Sequence, residues 1–249
     1  MKEKLHQLME MLKLRGMAKS LDQVLLKAEK EGISTREALY VMLLEEQRYR
    51  EETSLKNRLQ NAKIPWDWTV HTFPFDRQPG VNKTQIMDLC GLSFVQRADN
   101  LILIGDPGVG KTGLAISLLR QAILSGYRGR FYNAQDLLDE LYASLADRTT
   151  PKLLKTLTGY DILLIDEVGY LSLKPEQVNA FFKLMGERYG KKSTLITTNL
   201  DYADWYDLFK KKSLVDALLD RLKHYCTTIR INGPSLRVPK KDHGNDSSH

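Results

Sequence analysis

The sequence predicts an α/β fold: a five-stranded parallel sheet flanked by helices, preceded by a small all-helical N-terminal domain. Three observations predict it. Residues 1–62 contain no proline and repeat apolar side chains at helical spacing. From residue 81 onward, short apolar runs alternate with helical segments, the pattern of a parallel sheet covered on both faces. Residues 105–112 fit G-x-x-x-x-G-K-[ST] between such a run and a helix.

Leu5, Leu8, Met9 and Leu12 open the first helical stripe, and Leu21, Val24, Leu25 and Ala28 continue it after an interruption near Gly16. Gly32 then stops it. Ser34-Thr-Arg-Glu37 is a capping box, and it starts a helix whose second half, Glu45 to Gln60, is dense in charge. Residues 63–80 hold three prolines and four aromatics, too many breakers for a helix, and read as a linker that packs on the next domain.

Residues 81–233 form the α/β domain. A helix over 82–89 precedes a strand over 101–105, and the phosphate loop leads into a helix over 111–125. Arg130-Phe-Tyr-Asn133 is a second strand. Gln135 to Thr158 is one long helix or two, with Pro151 as the break. Asp161-Ile-Leu-Leu-Ile165 is a third strand, and a helix over 175–190 precedes a fourth, Ser193–Thr198. Residues 214–224 are helical, and Thr227–Ile231 is a fifth strand. The polar tail, 234–249, has the composition of a disordered segment.

The chemistry begins at Gly105-Asp106-Pro107-Gly108-Val109-Gly110-Lys111-Thr112. The glycines let backbone N–H groups wrap phosphates, and the following helix N-terminus adds partial positive charge. Lys111 suits the β- and γ-phosphates, and the Thr112 hydroxyl suits Mg²⁺. The apolar third strand ends in Asp166 and Glu167, which places both carboxylates at the sheet edge where ligands bind in such folds. Asp166 can hold the hydrated Mg²⁺, and Glu167 can polarise an attacking water, which favours hydrolysis over transfer to a second substrate. Asn199, at the tip of the fourth strand, can orient that water.

Apolar content of 42% and charged content of 27% fit a water-soluble globular chain. No apolar run approaches the roughly 18 residues of a membrane span. Two cysteines, without metal spacing, and an N-terminus unlike an export signal predict a reducing cytoplasm. The net charge of +6 favours a polyanionic partner, and the bland alternative is a lysine-rich surface. A small-molecule kinase would need an arginine-rich lid and an acceptor pocket, and the Asp166-Glu167 pair argues against it.

With these residues in place, the chain resembles the AAA+ ATPases, in particular the helicase-loader and transposition-helper branch. The likeness rests on the order of phosphate loop, D-x-x-x-x-D-E at Asp161 to Glu167, Thr197-Thr-Asn199 and Asp220-Arg221, and extends over residues 1 to about 235. It is most similar to the IstB-like helper ATPases of insertion-sequence transposition, with the DnaC-like replicative helicase loaders as the alternative. The resemblance implies Mg²⁺-dependent ATP hydrolysis, a homo-oligomer with its nucleotide site at a subunit interface, binding to duplex DNA without sequence specificity, and a cognate transposase. It also implies that hydrolysis drives disassembly. By the same likeness Arg188 is an arginine finger acting on a neighbouring subunit, and Arg221 a sensor that reaches the γ-phosphate in cis. An extra helical element after the second strand, carrying Arg148, Lys152 and Lys155, would face nucleic acid.

Overall fold

The computed structural model describes residues 2–169 and 171–237. The expected disordered tail therefore lies, from residue 238 on, outside the described residues. The chain divides into two compact units between Gln60 and Asn61.

The first unit is helical: α1 Lys2–Met11, α2 Arg15–Glu31 and most of α3 Thr35–Ala62. The Ser34 box forms as expected, with Ser34 N–H donating to Glu37 at 2.8 Å and Glu37 N–H donating to the Ser34 hydroxyl at 3.2 Å. Gly32 ends α2 in the left-handed conformation. Gly16 does not interrupt a helix; it lies in the first turn of α2, and the break falls over residues 12–14. A Cβ at Gly16 would stand 2.6 Å from the Glu45 carbonyl, so only glycine lets α2 and α3 approach this closely. The buried Glu46 carboxylate from α3 accepts from Gly16 N–H at 2.7 Å and Met17 N–H at 3.1 Å, capping α2 from across the unit.

The second unit is built on a sheet. Among its described residues, β1 Asn100–Gly105, β2 Gly129–Asn133, β3 Ile162–Asp166, β4 Ser193–Thr198 and β5 Cys226–Ile231 pair in parallel in the order β2-β3-β4-β1-β5. The apolar runs β1 and β3 are buried nearly along their length, and so is β4, although Ser193, Thr194, Thr197 and Thr198 are hydroxyl residues. The helices are α4 Lys83–Leu89, α5 Ser93–Gln96, α6 Lys111–Leu124, α7 Ala134–Ala146, α8 Thr150–Thr158, α9 Pro175–Arg188, α10 Trp205–Phe209 and α11 Lys212–His224. The Gln135–Thr158 segment is two helices, with Pro151 in the first turn of the second, where a missing N–H costs nothing.

Segment 63–80 belongs to this unit and packs within it. Phe73 is buried, and Asp67 pairs with Arg120 of α6 at 2.7 Å. The buried Gln78 donates to the carbonyls of Val109 and Pro234, at 3.0 and 2.9 Å. Composition marks 234–237 as the start of a disordered tail, but these residues lie on the phosphate loop: Leu236 N–H donates to the Gly108 carbonyl at 2.8 Å. No described helix is long and apolar enough to cross a membrane.

Candidate nucleotide site

The carboxyl ends of β1, β3 and β4 and the loop Gly105–Thr112 border one cavity of about 600 Å³. The loop turns where only glycine is comfortable, with φ of +86° at Gly108 and +99° at Gly110. A Cβ at Gly110 would meet the Phe73 ring at 2.7 Å, so the segment before the sheet also shapes the loop.

Lys111 folds back on the loop and donates to the carbonyls of Gly105 at 2.8 Å and Asp106 at 2.9 Å. Burial pushes its ammonium below the usual lysine range, against the pull of Asp166, Asp106 and Glu167. Phosphate oxygens offer this ammonium stronger, charged acceptors.

The Thr112 hydroxyl donates to both Asp166 oxygens, at 2.9 and 3.2 Å, and the Thr197 hydroxyl donates to Oδ1 at 2.5 Å. Asp166 is 4% exposed. Burial raises its pKa, more than the two hydroxyl donors lower it. One hydroxyl and one carboxylate side by side form a hard oxygen pair, which fits Mg²⁺ completed by phosphate and water oxygens. Among the described residues no cluster of three or more His, Cys, Asp or Glu could hold a metal alone. A metal here therefore fits as the companion of a bound polyphosphate.

Glu167 is exposed to the cavity and held at φ +63°, a costly conformation for a non-glycine residue. Its N–H donates to the Thr197 hydroxyl at 2.9 Å, so Thr197 locks both carboxylate residues of the pair. The Glu167 carboxylate accepts from Asn133 Nδ2 at 3.1 Å. Asn133 stands at the end of β2, in register with Asp166, and its Oδ1 also caps α7 by accepting from Gln135 N–H at 3.0 Å. Asn199 lines the same cavity, and its buried Oδ1 has no hydrogen-bond partner among the described residues.

Thus the loop, Asp166, Glu167 and Asn199 share one cavity, and the two arginines do not join them. Arg188 is 1% exposed. Its guanidinium donates to the carbonyls of Leu157 at 2.7 Å, Tyr160 at 2.9 Å and Ser193, and to the Thr194 hydroxyl at 3.1 Å. Burial brings its pKa down to about 10, so it stays charged at neutral pH. A side chain held this way braces α8 against β4 and does not reach a neighbouring subunit, which corrects the finger assignment. Arg221 is exposed over the Tyr189 ring at 5.9 Å, one turn before β5 begins. It lies at the edge where β1 starts, whereas the loop leaves where β1 ends, about 17 Å further along the strand. That position corrects its assignment as a cis sensor.

Sequence reasoning missed three residues of the site. Arg237 lines the cavity, and its charge acts on Lys111. Thr197 and Asn133 hold the carboxylates. The signal for Asn133 was the strand order alone, which puts the tip of β2 beside that of β3. Lys152 and Lys155 are exposed on α8, and Arg148 is exposed in the turn before it.

A family model described as IstB-like ATP-binding protein matches residues 7–244. An ATP-binding protein of insertion sequence IS21 from Pseudomonas aeruginosa is 36% identical over 94% of this chain and 88% of its own length. One of insertion sequence IS232 from Bacillus thuringiensis is 35% identical, covering 94% and 93%. Among solved structures, the DnaC helicase loader superposes with a TM-score of 0.57 at 24% identity, over 69% of this chain and all of that one. The replication initiator DnaA bound to AMPPCP and single-stranded DNA gives 0.56 at 20% identity, over 69% and 51%. The chain shares its fold with both.

Proposed function

This chain belongs to the IstB-like ATP-binding protein family, and from that premise we propose that it hydrolyses ATP with Mg²⁺, oligomerises on duplex DNA and assists the transposase of its insertion sequence in choosing and using a target. Hydrolysis drives disassembly, and the protein works in the cytoplasm. The observation that carries the hydrolytic reading is the Thr112–Asp166–Thr197 cluster, with Glu167 next in sequence and Asn199 facing the same cavity.

Bound Mg²⁺ would neutralise developing charge on the phosphates. The chain's own residues do the rest. Lys111 exchanges loop carbonyls for phosphate oxygens. Glu167 leaves Asn133 to accept a proton from water, which Asn199 orients. Arg237 supplies the cation in cis, and Arg221, exposed at the far edge, supplies one to a neighbouring subunit. Arg148, Lys152 and Lys155 contact DNA phosphates, and residues 1–62 contact the partner protein and DNA backbone.

Phosphate release measured with Glu167→Gln tests this. The variant is expected to bind ATP, to assemble on duplex DNA and to lose turnover by at least a hundredfold, the scale of a lost general base. Wild-type turnover per subunit is expected to rise with protein concentration and with duplex DNA. Turnover independent of concentration would overturn the intersubunit site, and preference for single strands in competition would favour the helicase-loader alternative.

A further inference from the structure

We propose that Trp66 and Trp68 form the platform on which the nucleobase stacks, and that the site reads the base by its face and so accepts guanine as well as adenine nucleotides. The inference rests on the reading of the cavity as a nucleoside triphosphate site. A triphosphate lying in the loop with its γ-phosphate toward Asp166 and Glu167 leaves two walls for its base. One carries Pro65, Trp66, Trp68 and Phe131, and the other Leu236 and Arg237. The second wall is one aliphatic side chain and a cation, and the cation suits phosphate. The first is aromatic.

Both indoles stand open to the cavity, Trp66 at 54% and Trp68 at 37% exposure, whereas the third tryptophan, Trp205, is fully buried in the core. Bare indole surface in water is costly, and a purine ring covers it. The platform is also fixed in place. Trp68 lies against Gly113 in the first turn of α6, where a Cβ would stand 2.7 Å from its ring. Between the two indoles, Asp67 is tied to Arg120 of the same helix. The helix turn that follows the phosphate-binding Lys111 and Thr112 thereby sets the position of the rings.

Pro65, Trp66, Trp68 and Phe131 carry no carboxylate, amide or hydroxyl side chain; outside the phosphate loop, the amides and hydroxyl of the lining, Asn133, Asn199 and Thr198, stand at the strand ends with Asp166 and Glu167. Sharp discrimination between bases needs buried polar groups that one base satisfies and the other leaves unpaired. Stacking is tolerant because every base has a π-face. Purines overlap two indoles better than pyrimidines do.

The test is competition binding by anisotropy of a ribose-labelled fluorescent ATP, with unlabelled ATP, GTP, CTP and inorganic tripolyphosphate as competitors, on the wild type, Trp66→Ala and Trp68→Ala. ATP and GTP are expected to compete within about fivefold of each other, and CTP about tenfold more weakly. Trp66→Ala is expected to weaken ATP and GTP about tenfold while leaving tripolyphosphate unchanged, the mark of a lost stack. Because Trp66 is exposed, this variant keeps the test sound even if Trp68→Ala disturbs α6. A preference for ATP over GTP beyond a hundredfold would overturn the inference, because it requires edge reading. Equal losses for ATP and tripolyphosphate would also overturn it, since the tryptophans would then only support the loop, as would unchanged binding by Trp66→Ala together with a loss by Leu236→Ala. A wild type that binds neither ATP nor tripolyphosphate would instead sink the nucleotide reading itself.

Discussion

Replacing Arg188 by alanine separates a structural arginine from a catalytic one. The side chain is 1% exposed and holds the carbonyls of Leu157, Tyr160 and Ser193 together with the Thr194 hydroxyl. Truncation removes these four hydrogen bonds, at about 1–3 kcal/mol for each buried acceptor that is left unpaired and that water does not reach. It also opens the space of one of the largest fully buried side chains, where a large-to-alanine change costs about 2–5 kcal/mol. Against this, the variant no longer buries a charge, and refilling by water recovers part of the rest. A net loss of about 3–5 kcal/mol is expected, against a total stability of about 5–15 kcal/mol for an ordinary domain. Urea unfolding followed by circular dichroism measures it, and Arg188→Lys, which keeps the charge and some of the donors, should fall between the two. A finger behaves differently: it leaves the fold intact and fails only in trans. An Arg188→Ala protein with the wild-type midpoint, whose lost turnover returns on mixing with Lys111→Ala protein, would refute the structural reading.

Other residues give further tests. Burial holds the Asp166 pKa above its unfolded value, so its ionisation costs stability once pH rises through the folded pKa. Asp166→Asn is therefore expected to raise the melting temperature of the nucleotide-free protein at pH 7 and to abolish the Mg²⁺ dependence of ATP binding. In the wild type the same raised pKa means that Mg²⁺-dependent affinity declines on acidification before an ordinary aspartate would protonate, while affinity measured in chelator is less affected. Asn133→Ser keeps a helix cap for α7 but cannot reach Glu167; basal hydrolysis without DNA should rise about tenfold, the low end of what one hydrogen bond to a carboxylate is worth, and the ratio of DNA-stimulated to basal turnover should fall. Arg237→Ala should weaken ATP more than ADP in calorimetry if its guanidinium faces the γ-phosphate; equal weakening would move it to another phosphate. Gly16→Ala should destabilise the helical unit by about 1–3 kcal/mol despite alanine's better helix propensity, because the new methyl overlaps the Glu45 carbonyl and the Tyr49 Cβ.

The parts of this molecule that sequence reveals are those set by near neighbours. Apolar runs disclosed β1 and β3 because a strand buried on both faces has little choice of residue. The phosphate loop disclosed itself because wrapping phosphates needs glycines at fixed offsets from the lysine and threonine. Asp166 and Glu167 were legible because a strand edge and a carboxylate pair coincide. The charged residues misled for a common reason: what a charge does depends on which groups the folded backbone leaves unbonded near it. Arg188 reads as a surface residue at a helix end, yet the end of α8 and the start of β4 turn carbonyls toward the same point, and one guanidinium spans them. Arg237 sits in a polar stretch whose composition spells disorder. One backbone hydrogen bond from Leu236 to Gly108, and the Gln78 amide shared between Val109 and Pro234, still bring it to the phosphate loop. Asn133 is a helix cap, and the β2–β3 register also gives its second amide atom the Glu167 carboxylate. Because that one amide serves both α7 and Glu167, a shift of α7–α8, the element with the exposed basic residues, would pull on the carboxylate.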